Sequence, residues 1–206
     1  MTLKSLYVRA MKNILVFDCE TTGLPPKGAK YQTDFLQFPR IVQLSWDFNG
    51  FMNDFIIKPD GWTIPEEATK IHGITQERAE REGVPIAEVL SLFWSNCFDA
   101  KKLVGHNIYF DSSVIKSEAL RLGSDEFVSL LNDAMDKTKR ICTMMKTIKL
   151  VGARQKDSNR MKFPTLEETY AKLFNGETFD AHNSAEDVRA TLRCFEELIK
   201  LEIIKL

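Results

Sequence analysis

Cysteine, proline and glycine are all scarce in this chain: 206 residues hold four, seven and ten of them. The cysteines (Cys19, Cys97, Cys142 and Cys194) stand far apart with no C-x-x-C pair. That pattern argues against a zinc site or a disulfide framework and reads as reduced thiols in a cytoplasmic protein. No apolar run approaches the roughly 20 residues that a bilayer crossing takes, so no membrane association is expected. The opening MTLKSLYVRAMKN carries basic residues but no sustained apolar stretch, and so does not read as a signal peptide. Charge of one sign is lacking too. With 28 basic against 29 acidic residues and a net charge of −1, contact with nucleic acid has to use a local patch. No G-x-G-x-x-G follows a strand, which sets a dehydrogenase aside. Repeats, linkers and low-complexity tracts are also missing. The length fits one domain over 1–206, with 1–11 as a short N-terminal extension.

What is present is a core, with 44% of residues hydrophobic. Ile14-Leu15-Val16-Phe17 reads as a buried strand that ends at the turn signal Thr21-Thr22-Gly23. In RIVQLSWDFNGFMNDFIIKP (40–59), Val42, Leu44, Trp46 and Phe48 alternate with Gln43, Ser45 and Asp47 before Asn49-Gly50, which predicts a β-hairpin. Within it QLSWDF (43–48) resembles a clamp-docking peptide, but the alternation makes it a core strand. IPEEATKIHGI starts with proline and acids, the marks of a short helix. Helical spacing of Ile86, Val89, Leu90, Phe93 and Trp94 predicts a helix in 85–100. A brief strand in KKLVGHN, a helix over 109–123 closed by Gly123, a helix over 165–176 and a last helix from about Asn183 to the C-terminus complete the order. Strands first, then alternating with helices, indicate an α/β fold with a mixed sheet.

One stretch departs from the average charge. From Lys137 to Lys162 there are nine basic residues and one acid, Asp157. Such a run is either a solvated loop and helix face or an electrostatic track for a phosphodiester strand.

The strand that opens the core finishes on Asp18 and Glu20. Alternation points both the same way and Cys19 the other. Two carboxylates on one face beside a core need a proton, a basic partner or a metal ion. Asp111 falls in the first turn of a helix after GHN. In AHNSAEDV (181–188), His182 precedes a helix start and Asp187 follows five residues later. Five helical residues turn by about 140°, so His182 belongs on the loop and Asp187 in the first turn. Singly, each has an ordinary use: a strand-end acid, a first-turn acid favoured by the helix dipole, a Ser184-x-x-Asp187 capping box, and an exposed loop histidine. His106 reads as a structural hydrogen-bonding residue. Together, four acids at strand ends and helix starts with one histidine describe a site for hard cations, Mg²⁺ or Mn²⁺.

FDCETTGL, GHNIYFD and His182-N-S-A-E-Asp187 resemble, in order, the three motifs of the DnaQ-like 3′→5′ exonucleases of the DEDDh type, nearest in pattern to the proofreading (epsilon) subunits of bacterial DNA polymerase III. KIHGIT (70–75) resembles a segment of the same group. The resemblance runs from about Lys12 to the end. It implies a ribonuclease H-like fold, a mixed five-stranded sheet flanked by helices, and a 3′→5′ exonuclease with two divalent ions. Asp18 would bridge both ions, with Glu20 and Asp187 completing one site and Asp111 supporting the other through water. His182 would be the general base. Thr21, Thr22 and Gly23 would approach the 3′-terminal nucleotide, Leu24 its base, and Phe110 would wall the pocket. The implied partner is a single-stranded or frayed 3′ end of DNA, with a polymerase subunit as a further one. RNA trimming, or a non-catalytic nucleic-acid-binding module, are the alternatives.

Overall fold

Ile14–Thr21 forms the expected strand β1, and alternation sorts its side chains between two layers. Leu15, Phe17 and Cys19 join one buried cluster, while Ile14 and Val16 join another on the opposite face. Asp18 and Glu20 continue the Ile14–Val16 side. The computed structural model describes residues 12–205, so the extension expected at 1–11 lies outside the described residues.

The hairpin forms as read, with β2 at Ile41–Phe48 and β3 at Phe51–Ile56. Asn49 and Gly50 take φ of 57° and 85°, the two positive angles that a tight two-residue turn between twisted strands requires. β4 (Lys102–Gly105) and β5 (Arg140–Cys142) lie parallel to β1 and to each other, giving the order β3-β2-β1-β4-β5. This is the mixed five-stranded sheet, flanked by helices, that was expected. Residues 43–48 lie within β2 with Leu44 and Trp46 buried and Phe48, at its end, half-buried, as a core strand requires.

The helices are α1 (Tyr31–Asp34), α2 (Glu66–His72), α3 (Gln76–Glu82), α4 (Ile86–Asp99), α5 (Ile108–Arg121), α6 (Asp125–Ala134), α7 (Thr143–Val151), α8 (Leu166–Leu173) and α9 (Ser184–Lys200). α2, α4, α5, α8 and α9 were expected. α3 was not, because it buries only Ala79 and carries no apolar period; a Thr75 cap and an Arg78–Glu82 pair support it instead. β5 and α7 arise inside the basic segment. β5 forms by pairing, since Leu103 N–H donates to Lys139 O at 2.9 Å, and not from any apolar run of its own. α9 stops at Lys200 rather than running to the C-terminus. The amides of Ile203 and Ile204 bond back to Leu198 O (2.9 and 3.1 Å), which folds Ile204 onto the core.

Helices cover both faces of the sheet. Phe17, Trp46 and Phe93 pack edge to face, with centroids 5.2 and 5.4 Å apart, beneath α4 and α5. Val188, Phe195 and Leu198 of α9 cover Ile14, Val16 and Val104 on the other side. The parallel strands β1, β4 and β5 end at one edge, and the loops into α5 and α9 gather there. In an open α/β sheet that edge is where a site forms.

Candidate active site

Because Asp18 and Glu20 sit on the side of β1 that α9 covers, they meet Asp187 from that helix's first turn. One carboxylate oxygen from each of the three lies within 4.8 Å of the others. The close approach follows from how α9 is held. Gln43 and Ser45, the polar side of β2, are buried under its N-terminus. Ser184 N–H donates to Gln43 Oε1 at 3.3 Å, and the hydroxyls of Ser45 and Ser184 lie 2.5 Å apart. Ser45 also donates to Asp54 Oδ1 at 2.7 Å. The sequence reading passed over Gln43 and Ser45. Their only signal was a polar face on a strand that needed covering.

The helix cap corrects the capping-box reading. Asn183, not Ser184, caps α9, its Oδ1 accepting from the amides of Ala185 and Glu186 at 3.1 and 3.4 Å. Asp187 accepts from His182 N–H at 3.2 Å and so ties the loop to the site. His182 has φ of 69°, which turns its ring to the mouth of a small pocket. That pocket, about 160 Å³, is lined by Asp18, Asp187, His106, His182, Leu166 and Glu167. The His182 ring is exposed, and its Nε2 lies 3.9 Å from Glu167 Oε1. His106 is structural, as read: its ring nitrogens lie 2.9 Å from Thr143 Oγ1 and 3.0 Å from Pro164 O.

Asp111 lies outside the trio, although its charge still raises Asp18. It comes from α5, on the opposite face, and is 3% exposed. Its Oδ1 accepts from the Cys19 amide at 3.3 Å and from the Cys19 thiol at 3.1 Å. Burial pushes Asp111 and Asp187 up to about 7, and for Asp187 the nearby Glu20 charge adds to this. Burial also raises Asp18, with Asp111, Asp187 and Glu20 each adding repulsion. Glu20 is raised by burial and partly relieved by His182. The donors are all carboxylate oxygens, with no thiolate or imidazole pair among them. A set of crowded, desolvated acids of this kind fits a hard divalent cation.

The sign of a pH effect follows. In the unfolded chain these acids lose their protons near 4, whereas Asp111 and Asp187 in the folded protein hold theirs to about 7. Between those values the folded state binds more protons, so stability without metal falls as pH rises through the window and levels off above it. Asp111→Asn/Asp187→Asn removes the two groups, so its midpoint minus that of wild type, measured in chelator by thermal unfolding, should grow from pH 4.5 to 7.5. A difference that stays level would contradict the carboxylate assignment.

Beside the acids lies a second cavity of about 510 Å³, lined by Cys19, Glu20 and the predicted Thr21, Thr22, Gly23, Leu24 and Phe110, together with α2 residues. Leu24 is 82% exposed at its rim and Phe110 is half-buried. The residue missed here is His72, from the KIHGIT segment that the resemblance had singled out. It is 7% exposed, and its Nδ1 accepts from Ile74 N–H at 3.1 Å. Burial lowers its pKa, and with Nδ1 accepting, the neutral ring carries its proton on Nε2. That Nε2 is itself buried and has no partner among the described residues.

The family described as an exonuclease family (RNase_T) matches residues 15–195. The PolC-type DNA polymerase III of Caldanaerobacter subterraneus subsp. tengcongensis is 27% identical over 190 residues, which cover 90% of this chain and 11% of that protein. E. coli exonuclease I in complex with a dT13 oligonucleotide superposes with a TM-score of 0.68 at 20% identity, over 93% of this chain and 42% of that one. A zinc-bound form of the E. coli exonuclease I–single-stranded DNA complex gives 0.68 at 21% identity, over 93% and 41%. The chain therefore spans about a tenth of the polymerase and less than half of exonuclease I.

Proposed function

Because the chain belongs to this exonuclease family, we propose that it hydrolyses phosphodiester bonds one at a time from the 3′ end of DNA, in proofreading or repair. The observation that carries the reading is the convergence of Asp18, Glu20 and Asp187 within 4.8 Å beside a nucleotide-sized cavity. Asp18, Glu20 and Asp187 would hold divalent ions, Mg²⁺ or Mn²⁺, with Asp111 supporting the second through water. When bound, such ions favour hydroxide over water and offset charge on the departing oxygen.

The chain's own residues do the remainder. His182, exposed on the pocket that Asp18 and Asp187 also line, accepts the proton of the attacking water. Oxygen attacks phosphorus as the bond to the 3′ oxygen of the preceding nucleotide breaks. A nucleoside 5′-monophosphate and a strand with a new 3′ hydroxyl result. Thr21 to Gly23 present backbone to the terminal nucleotide, and Leu24 and Phe110 offer apolar surface to its base. The PolC-type match supports DNA over RNA, and the DNA complexes of exonuclease I support a single strand as the form bound.

The test offers single-stranded, paired and mispaired DNA and RNA, each labelled at the 5′ end, with Mg²⁺ or Mn²⁺. Stepwise shortening from the 3′ end is expected, fastest on single-stranded or mispaired DNA and abolished by chelation. Shortening of RNA alone would move the protein to RNA trimming, and internal cuts would defeat both readings.

A further inference from the structure

The fold divides the basic segment that the sequence presented as one run. Lys137 and Lys139 precede β5, at the end of the parallel strands opposite the carboxylates. Arg140 lies 5.5 Å from the Tyr109 ring, and Lys146 and Lys149 are exposed on α7. The rest form a small two-stranded arm over residues 153–162. Gln155 N–H donates to Arg160 O at 2.8 Å, Lys162 N–H donates to Ala153 O at 2.9 Å, and Arg154 bridges Met161. Asn159, with φ of 51°, helps turn the tip.

The arm is rooted in the site. Pro164, two residues beyond it, accepts from His106, whose ring lines the pocket of Asp18, Asp187 and His182. Lys162 is tied to Glu168 of α8 at 2.8 Å, and the Arg154 guanidinium bonds Asn159 O within the arm at 2.8 Å. Lys156 and Arg160 are different. Both are exposed, and among the described residues neither side chain makes a hydrogen bond or an ion pair. Some exposed cations on helices meet acids one turn away, as in Lys70–Glu66 and Arg78–Glu82, whereas, among the described residues, Lys146 and Lys149 on α7 do not. Met161 and Phe163, 52% and 59% exposed, lie on and beside the arm. Cations interleaved with apolar side chains are what a single strand uses, phosphates on the former and bases on the latter. The arm also counters the repulsion that four carboxylates exert on incoming phosphates.

We propose that the 153–162 arm grips the backbone of a single-stranded polynucleotide on the 5′ side of the bond being cut, through Lys156 and Arg160. This rests on the exonuclease reading, and the experiment separates the two. Binding of a long single strand to metal-free protein is followed by fluorescence anisotropy across salt concentrations, for wild type, Lys156→Gln/Arg160→Gln and Lys137→Gln/Lys139→Gln. Each lost phosphate contact should reduce the slope of log K against log salt by about 0.7, so the arm variant should lose about 1.4. The variant at the far end of the sheet should keep the wild-type slope. With metal, the arm variant's kcat/KM on the long strand, relative to its value on a trinucleotide, should fall on the order of tenfold through KM. An unchanged slope, or equal flattening by both variants, would overturn the arm while hydrolysis persists. Absence of hydrolysis by wild type would defeat the exonuclease reading and leave the slope to judge the arm.

Discussion

Asp18→Ala should lose divalent-ion binding and turnover together while the metal-free protein becomes harder to unfold. Asp18 follows the buried run Ile14–Phe17 of β1, and burial raises its pKa, with repulsion from Asp111, Asp187 and Glu20 adding to it. Removing it takes away the acid on which the others converge and relieves that repulsion at neutral pH. Turnover should fall on the order of 10³-fold or more, roughly 4 kcal/mol at 1.36 kcal/mol per decade. Titration calorimetry with Mn²⁺, kcat on single-stranded DNA and thermal midpoints in chelator give the three readouts. Retained ion binding would show that Asp18 is a strand-end acid and nothing more. A lower midpoint without metal would show that its charge is satisfied in the fold and not frustrated.

Replacing His182 should separate proton transfer from ion binding. The three clustered carboxylates and Asp111 stay in place, so ions and strand still bind while kcat falls by about 10²–10⁴-fold, the usual worth of a general base. His182 holds φ of 69°, which alanine tolerates poorly and asparagine well. His182→Asn therefore keeps the loop, and the Asp187 bond to its amide, while removing the imidazole. Both variants should fall alike if the ring is the base. Full turnover in His182→Asn with a loss in His182→Ala would reduce the residue to a loop anchor. Loss of ions in both would make it a ligand.

Local chemistry carried much of the fold. Asn49-Gly50 closed its hairpin because few residues accept two successive positive φ, and α4 formed where apolar residues recur with helical period. Elements without a local signal were invisible. α3 is polar nearly throughout and depends on caps and ion pairs, and β5 exists only because β4 offers it a partner. α9 could not be ended correctly from its own residues, since Ile204 turns back to fill a gap that other elements leave.

The site divides along the same line. Residue order alone placed Asp18 and Glu20 on one side of a strand, Asp187 in a helix's first turn and His182 just before it. Those are consequences of backbone period, which sequence contains. That Asp187 reaches the strand acids depends on Gln43 and Ser45 holding α9 from a third element. That Asp111 stays outside the trio, bonded to Cys19, depends on which face α5 covers. The idle N–H of His72 and the division of the basic run into a remote pair and an arm at the pocket are likewise tertiary. Alternation and capping act over a few residues and can be read from the chain. Convergence of distant residues depends on which surfaces pack, and only the folded core decides that.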